Sequence, residues 1–406
     1  KPVLIESHFS KFSIDMKSLT LYNIIKIKLV NITNKVLQLY ICYFLLKIEE
    51  INMEKTKKAS PRMVKLLNRE LIINELRQNP NQSRADLAKK TNLSKPAVSE
   101  IVKELIEEGL VFETGFGTSS GGKRPILLKY NARSNYVLGV LIENDTIFIA
   151  LGDMNGEIVR LDKKIFEPPV HGRTITEMIV DGVVTLCKEE NIGKGFILGM
   201  TVGVSGIPGE NEAIISTSPT IQWEDFNIKK ALSDSLHIDV IIENDVNLMT
   251  IGEFYKGKGK GVSNFIYLFI GDGIGSGLFL NGQFYKGAHS ASGEIGFMMI
   301  GDEKEAKPNL GVFEANYGRF GIREFLKSEG IPIEPDTSFI NHLQSRRHDQ
   351  KIQAILNEII CQWAKATINI ISIIDPKVVI LSGEFIHLHK EPIAQFGQNE
   401  SCLSPK

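Results

Sequence analysis

Residues 83–131, "SRADLAKKTNLSKPAVSEIVKELIEEGLVFETGFGTSSGGKRPILLKYN", contain two helix starts followed by two strand-like runs. Ser83 and Asp86 have the spacing of a capping box at the start of a short helix. Ser94 can cap a second, longer helix that ends at Gly109. A short helix, a tight turn and a longer helix predict a helix-turn-helix.

The strand-like runs lie at residues 110–114, "LVFET", and 125–131, "PILLKYN". Between them, "GFGTSSGGKR" supplies glycines and a basic tip with Lys123 and Arg124. Such a β-hairpin after the longer helix predicts a winged helix whose tip can approach a phosphate backbone.

An amphipathic helix is predicted upstream, over residues 62–79, and it ends before Pro80. Its apolar residues at helical spacing are Val64, Leu67, Leu71, Ile72 and Leu76. Residues 53–130 carry 15 Lys and Arg against 9 Asp and Glu, whereas residues 131–406 carry 25 against 35. A basic unit of this kind attracts phosphates, so residues 53–132 are predicted to be a DNA-binding domain.

The predicted DNA contacts lie around the start of the second helix of the motif, which enters the major groove, and at the wing tip. They are Ser83, Arg84, Ser94, Lys95, Pro96, Ala97, Ser99, Lys123 and Arg124. The alternative is a winged helix that contacts only proteins.

From Tyr136 onward, strand-like runs alternate with glycine turns and amphipathic helices, which predicts an α/β architecture. One buried strand, "HIDVIIENDVN" at residues 237–247, ends in Glu243, Asn244 and Asp245. A carboxylate beside amides at a strand end is suited to hold a hydroxylated ligand. The alternative is a simple loop cap.

The elements Ser-Arg-Ala-x-Leu-Ala at 83–88 and Ser-Ser-Gly-Gly-x-Arg-Pro at 119–125 resemble the DNA-binding domain of the ROK family (repressors, open reading frames and kinases), in its xylose-repressor-like branch. The strand and helix order of residues 133–385 is similar to the two-lobed actin-like ATPase fold of that family. The resemblance implies an N-terminal winged helix-turn-helix followed by a sugar-sensing actin-like domain, here truncated at its C-terminus.

Three motifs imply sugar-binding residues through this resemblance. "ENDVN" resembles the family's Asn-Asp-x-Asn motif, so Asn244 and Asp245 are expected to hold sugar hydroxyls. "SGEIGF" resembles the Glu-x-Gly-His motif and contributes Glu294, and "GVFEA" contributes Glu314.

Other motifs depart from the family's kinases. "IENDT" stands where the kinases carry Asp-x-Gly-Gly-Thr, which binds ATP phosphates, although "IGDGIGSG" keeps the glycines of the second phosphate element. Phe297 stands at the position of the zinc-binding histidine, and the segment at the position of the zinc loop, residues 303–318, contains no cysteine. Because zinc needs thiolate or imidazole ligands, no metal is expected. With half of the phosphate cradle lost, neither a cofactor nor a catalytic residue is expected. Phe297 can fill the space of the lost zinc site, which is favoured, or stack on a pyranose.

The predicted function is a cytoplasmic repressor of sugar-utilisation genes that binds double-stranded operator DNA. A small-molecule sugar would release it, and xylose is favoured by resemblance alone. A homodimer or higher homo-oligomer is expected, because two recognition helices read a palindromic site. The alternatives are an ATP-dependent sugar kinase and a constitutive DNA-binding protein with a decayed sensor.

The ends of the chain match the family poorly. Residues 1–52 are interpreted as a non-native or disordered extension, and residues 386–406 as an irregular tail. The longest apolar run, residues 37–46, is too short to span a bilayer, so no membrane partner is expected. The four cysteines form no C-x-x-C pair, and no disulfide framework is predicted.

Overall fold

The computed structural model contains a small N-terminal unit and two lobes. It describes residues 26–29, 61–118, 124–143, 145–208, 214–215, 221–223, 226–300, 311–334 and 337–388. The first described element is strand β1 (Lys26–Leu29).

The N-terminal unit is the winged helix-turn-helix that the sequence predicts. Its elements are α1 (Pro61–Gln78), β2 (Gln82–Ser83), α2 (Arg84–Thr91), α3 (Lys95–Glu107), β3 (Val111–Phe116) and β4 (Ile126–Tyr130). The three strands pair antiparallel in the order β2–β4–β3.

Both predicted helix caps are present in this unit. Ser83 and Asp86 form a reciprocal capping box at α2, and the Ser94 hydroxyl accepts the Ala97 amide at α3. Helix α3 buries the predicted residues Val98, Ile101, Val102 and Leu105.

Helix α1 uses only part of its apolar surface for this core. Ile72 and Leu76 are buried, whereas Val64, Leu67 and Leu71 are exposed. The helix therefore packs through one of its two apolar faces.

The first lobe is built on a five-stranded sheet in the order β13–β9–β5–β6–β7, in which β13, β9 and β5 are parallel. Its strands and helices are β5 (Tyr136–Glu143), β6 (Thr146–Asp153), β7 (Ile158–Ile165), β8 (Val170–His171), α4 (Gly172–Glu189), β9 (Ile197–Val204), β10 (Ile207–Pro208), β11 (Ile214–Ile215), β12 (Ile221–Gln222), α5 (Ile228–Leu236) and β13 (Asp239–Asn244). Helices α4 and α5 pack against each other and share one hydrophobic core with the sheet.

The second lobe has its own five-stranded sheet, in the order β1–β17–β14–β15–β16. Its further elements are α6 (Asp245–Lys256), β14 (Phe265–Ile270), β15 (Ile274–Leu280), β16 (Gln283–Tyr285), α7 (Val312–Tyr317), α8 (Arg319–Ser328), α9 (Phe339–Ser345), α10 (Gln350–Ile374) and β17 (Val378–Gly383). Residues from α7 to α10 and from the sheet form the largest hydrophobic cluster.

Helix α6 lies between the two sheets. Its residues Val246 and Met249 share a hydrophobic cluster with Val137 of the first sheet and Phe265 of the second. The start of α6 is therefore held between the two lobes, where a ligand could touch both.

The ends of the chain are described only in part. Strand β1 pairs in parallel with β17, from Lys26 opposite Val378 to Leu29 opposite Leu381. The rest of residues 1–52 lies outside the described residues, as does 389–406, so the interpretations of both ends stay predictions.

Candidate functional site

The strand β13 delivers two of the predicted sugar-binding residues to the start of α6. The Asn244 side chain caps this helix, because its Oδ1 accepts the Asn247 amide at 3.1 Å while its Nδ2 donates to the Gly206 carbonyl at 3.0 Å. Asn244 therefore caps the helix, and its hydrogen bonds hold the chain next to Asp245.

Asp245 is half-buried at the first position of α6. Burial is the main cause that raises the pKa of its carboxyl to about 7, and the negative charge of Glu143 acts in the same direction. The Val246 amide, which donates to Oδ1 at 2.8 Å, and the Ser205 hydroxyl oppose this shift. Asp245 can thus exist in both protonation states near neutral pH.

The second lobe contributes Glu294 and Glu314. Glu314 Oε2 accepts the Ile274 amide at 2.7 Å, which fixes this carboxylate against the end of β15. Burial raises the pKa of both glutamates, and the charge of Glu314 adds to the shift of Glu294. The two side chains are therefore electrostatic neighbours. We call the four residues that the motifs predict to hold sugar, Asn244, Asp245, Glu294 and Glu314, the carboxylate cluster.

A lysine that the sequence analysis did not single out joins the two lobes beside this cluster. Lys286 Nζ donates to Glu243 Oε2 at 2.5 Å, and Glu243 Oε1 accepts the Asn247 side-chain amide at 3.0 Å. The Lys286 carbonyl also accepts the Ser292 amide at 3.1 Å, two residues before Glu294. Lys286 thus connects the β13 end of the carboxylate cluster with the Glu294 loop.

A second group near Asp245, whose pKa the charge of Glu143 affects, has one arginine among three acids. We call it the arginine cluster: Glu143, Asp272, Arg319 and Glu384. Arg319 Nε donates to the fully buried Glu384 at 3.0 Å, and its Nη1 lies 3.5 Å from Asp272. Burial raises the pKa of Glu143, while the positive charge of Arg319 lowers it. This arginine already neutralises nearby carboxylates, so the cluster is poorly suited to a triphosphate.

The glycines of the loop "IGDGIGSG" are explained by packing. A Cβ at Gly277 would lie 1.7 Å from Thr250 Oγ1 of α6, and a Cβ at Gly275 would lie 3.1 Å from Val246. These glycines let α6 approach β15 closely, so they support the fold and do not by themselves indicate a phosphate site.

No metal centre is visible in the ranges that the structure describes, where no group of His, Cys, Asp and Glu side chains could hold a metal ion. Phe297 replaces the family's histidine, and its side chain is 57% exposed. The expectation that Phe297 fills the space of a lost zinc site stays a prediction, because residues 301–310, which would form the rest of that site, lie outside the described residues.

The predicted DNA-contacting residues on α2 are partly engaged within the protein. Ser83 is buried, and its hydroxyl donates to Asp86 Oδ2 at 2.6 Å, so it acts as a helix cap. Arg84 pairs with Glu113 of β3 at 3.3 Å, which joins α2 to the wing.

The start of α3 presents a more accessible surface. Ser94, Lys95, Pro96 and Ser99 are exposed, and Ala97 is half-buried. Arg124, two residues before β4, is also exposed, whereas Lys123 lies outside the described residues. The first turn of α3 is therefore available to a groove.

Comparisons with known proteins agree with both parts of the molecule. A model of winged helix-turn-helix DNA-binding domains matches residues 67–111, and the model described as the ROK family matches residues 137–398. The xylose repressor of Bacillus subtilis (strain 168) is 30% identical over 337 residues, which cover 82% of this chain and 85% of that protein.

Two further similar proteins are a kinase and a transcriptional regulator. A glucokinase of Halalkalibacterium halodurans is 31% identical over 180 residues, or 43% of this chain and 53% of that protein. A crystal structure of a ROK family transcriptional regulator, a homologue of the E. coli MLC protein, superposes with a TM-score of 0.66 at 18% identity and covers 84% of this chain and 88% of that one. The chain belongs to the ROK family and carries an N-terminal winged helix-turn-helix.

Proposed function

We propose that this chain is a DNA-binding transcriptional repressor of sugar-utilisation genes and that a sugar, with xylose favoured, releases it from its operator. The observation that carries the proposal is the presence of an exposed α3 start and a carboxylate cluster in one chain. The similarity to xylose repressors supports the choice of xylose. The protein acts as a homodimer or higher homo-oligomer in the cytoplasm, where paired recognition helices reach two half-sites.

The chain is not an enzyme in this proposal. Asp245 has the chemistry of a general base, but base catalysis of phosphoryl transfer also requires a positioned phosphoryl donor. The arginine cluster offers no glycine-rich cradle at Glu143, and Arg319 is engaged by Asp272 and Glu384. Asp245 therefore holds sugar and performs no chemistry.

The sugar acts by differential affinity. A ligand that binds one arrangement of the two lobes more tightly shifts the population toward that arrangement. If only the other arrangement presents the two α3 helices at the operator spacing, sugar binding lowers the affinity for DNA.

A mobility shift with the DNA upstream of the chain's own gene, at a stated salt concentration, tests the proposal. We expect specific binding that weakens with xylose, and weaker binding by the Lys95→Ala variant at every sequence tested. Specific binding that ignores xylose, glucose and other aldoses would instead favour a decayed sensor. A protein that does not bind this DNA but consumes ATP with an aldose would be a kinase.

A further inference from the structure

A turn in the first lobe contacts both the DNA-binding unit and the helix that starts at Asp245. The turn comprises residues 153–157, between β6 and β7, and we call it the lobe turn. Arg77 of α1 contacts the lobe turn from the DNA-binding unit, and Lys256 of α6 contacts it from the second lobe.

On the DNA-binding side, the lobe turn is held by α1 and by the segment after β4. Arg77 Nη2 donates to the Met154 carbonyl at 3.0 Å and to the Tyr130 hydroxyl at 3.1 Å. The guanidinium also lies 4.8 Å from the centre of the Tyr130 ring, and the Met154 amide donates to the Ala132 carbonyl at 2.9 Å. The turn is thus fastened to the winged helix by side-chain and backbone contacts.

On the effector side, the lobe turn meets the last residue of α6. Lys256 Nζ donates to the Asn155 carbonyl at 3.3 Å and lies 3.6 Å from Glu157 Oε1. The helix has 12 residues, so it places this contact about 18 Å from Asp245.

Helix α6 is closely packed along its length, which favours displacement of the whole helix over bending within it. All its residues from Val246 to Glu253 are buried, and Thr250 lies directly against Gly277 of β15. A displacement of the helix start, where Asn244 and Asp245 lie, is therefore carried to Lys256 instead of being absorbed within the helix.

The lobe turn is itself well ordered by local hydrogen bonds. Asp153 Oδ1 accepts the amides of Asn155 at 2.9 Å and Glu157 at 3.0 Å, and the Gly156 amide donates to the Asp153 carbonyl. A displacement of Asn155 therefore also displaces Met154, whose carbonyl accepts a hydrogen bond from Arg77.

We infer that the lobe turn couples the effector site to the DNA-binding unit, with Lys256 as a positioning residue that neither sugar nor DNA touches. The inference rests on the proposed function, because it describes how the sugar signal would reach the winged helix. The alternative to a coupling role is that Lys256 makes only an exposed ion pair, which contributes little to stability.

The test measures how strongly xylose weakens binding to the chain's upstream DNA, as the ratio of DNA dissociation constants with and without saturating xylose. Coupling between two sites is typically about 5- to 150-fold. In Lys256→Met, we expect this ratio to fall about two- to thirtyfold, the range seen for residues that modulate coupling. The affinities for xylose alone and for DNA alone should stay within about threefold of wild type, because the lysine is exposed.

The matched control is Lys260→Met, an exposed lysine four residues further on, which should keep the wild-type ratio. Glu157→Gln should also lower the ratio, and the double variant should lose no more than Lys256→Met alone, because the ion pair that Glu157→Gln removes is one of the two contacts that Lys256→Met removes. If wild type responds to xylose and all the variants respond equally, the inference is wrong and the proposed function stands. If wild type binds this DNA without responding to xylose, both fail.

Discussion

The carboxylate cluster and the arginine cluster are electrostatic neighbours, because the charge of Glu143 acts on Asp245, yet their residues differ in what they imply for the family's chemistry. The carboxylate cluster contains the residues that the family motifs predict to hold sugar, and Lys286 bonds to Glu243 beside Asn244. The arginine cluster places Glu143 where the family's kinases have glycines, and it binds Arg319 to Glu384. Under the proposed function, the sugar site persists while the phosphate site beside it is lost, because the two use different residues.

The largest effect is expected from the centre of the carboxylate cluster. Asp245→Ala removes the carboxylate that would accept sugar hydroxyls, and hydrogen bonds to charged groups contribute about 1.5–3 kcal/mol each. We expect xylose to bind about 10- to 150-fold more weakly, as measured by calorimetry. Unchanged xylose affinity in a folded Asp245→Ala variant would remove Asp245 from the site.

The next largest effect is expected from the ion pair between Lys286 and Glu243, and it concerns the free energy of unfolding. Lys286→Met leaves the buried Glu243 carboxylate without this cation, and breaking a buried pair costs about 3–5 kcal/mol. Because Lys286 is 39% exposed, we expect a smaller loss, about 1–3 kcal/mol in the free energy of unfolding.

Adding Glu243→Gln to Lys286→Met tests the cause of this loss. The double variant should recover part of the lost stability, since it removes the uncompensated charge. Denaturant unfolding measures all four proteins of this cycle. Equal stability of wild type and Lys286→Met would show that the contact contributes nothing.

The pH dependence of xylose binding tests the role of Asp245 in the carboxylate cluster. The pKa of Asp245 is about 7 without ligand, so the carboxyl is mostly protonated at pH 6 and ionised at pH 8. A sugar hydroxyl that donates to the carboxylate favours the ionised form, so xylose should bind about tenfold more tightly at pH 8 than at pH 6. Calorimetry at both pH values checks this, and Asp245→Asn should abolish the difference. Tighter binding at pH 6 would mean that the protonated carboxyl is the donor.

The smallest effect is expected on stability. The pKa of Asp245 is raised from about 3.9 in the unfolded chain to about 7 in the fold, so the folded state retains a proton that the unfolded state releases. The contribution of this group to stability is therefore lost as pH rises from about 4 to 7. Asp245→Asn should be more stable than wild type at pH 8, by about 1–2 kcal/mol after allowance for its partial exposure.

That gain should shrink as pH falls toward 4, where the carboxyl is protonated in both states. Thermal unfolding at a series of pH values measures it. A difference between Asp245→Asn and wild type that does not vary with pH would contradict the raised pKa of Asp245.

Local features of the fold could be predicted from the sequence. The capping box at Ser83, the cap at Ser94 and the wing follow from residues within a few positions of one another, and all are present. The family motifs also identified Asn244 as part of a strand end, where it caps α6.

Features that depend on distant contacts could not be predicted in this way. Lys286 reaches Glu243 from another sheet, 43 residues away, and no local pattern marks it. The helical spacing of apolar residues in α1 did not predict that Ile72 is buried while Leu67 is exposed, because both residues fit that spacing. The pKa of Asp245 likewise depends on burial between the lobes.

The most direct test of the proposed function compares the two clusters in one protein preparation. Isothermal titration calorimetry measures the binding of xylose and, in a separate titration, the binding of ATP with magnesium. The account predicts saturable binding of xylose, lost in Asp245→Ala, and no binding of ATP with or without the sugar. Saturable ATP binding that strengthens in the presence of xylose would contradict it, because it would show that the arginine cluster still accepts a phosphoryl donor.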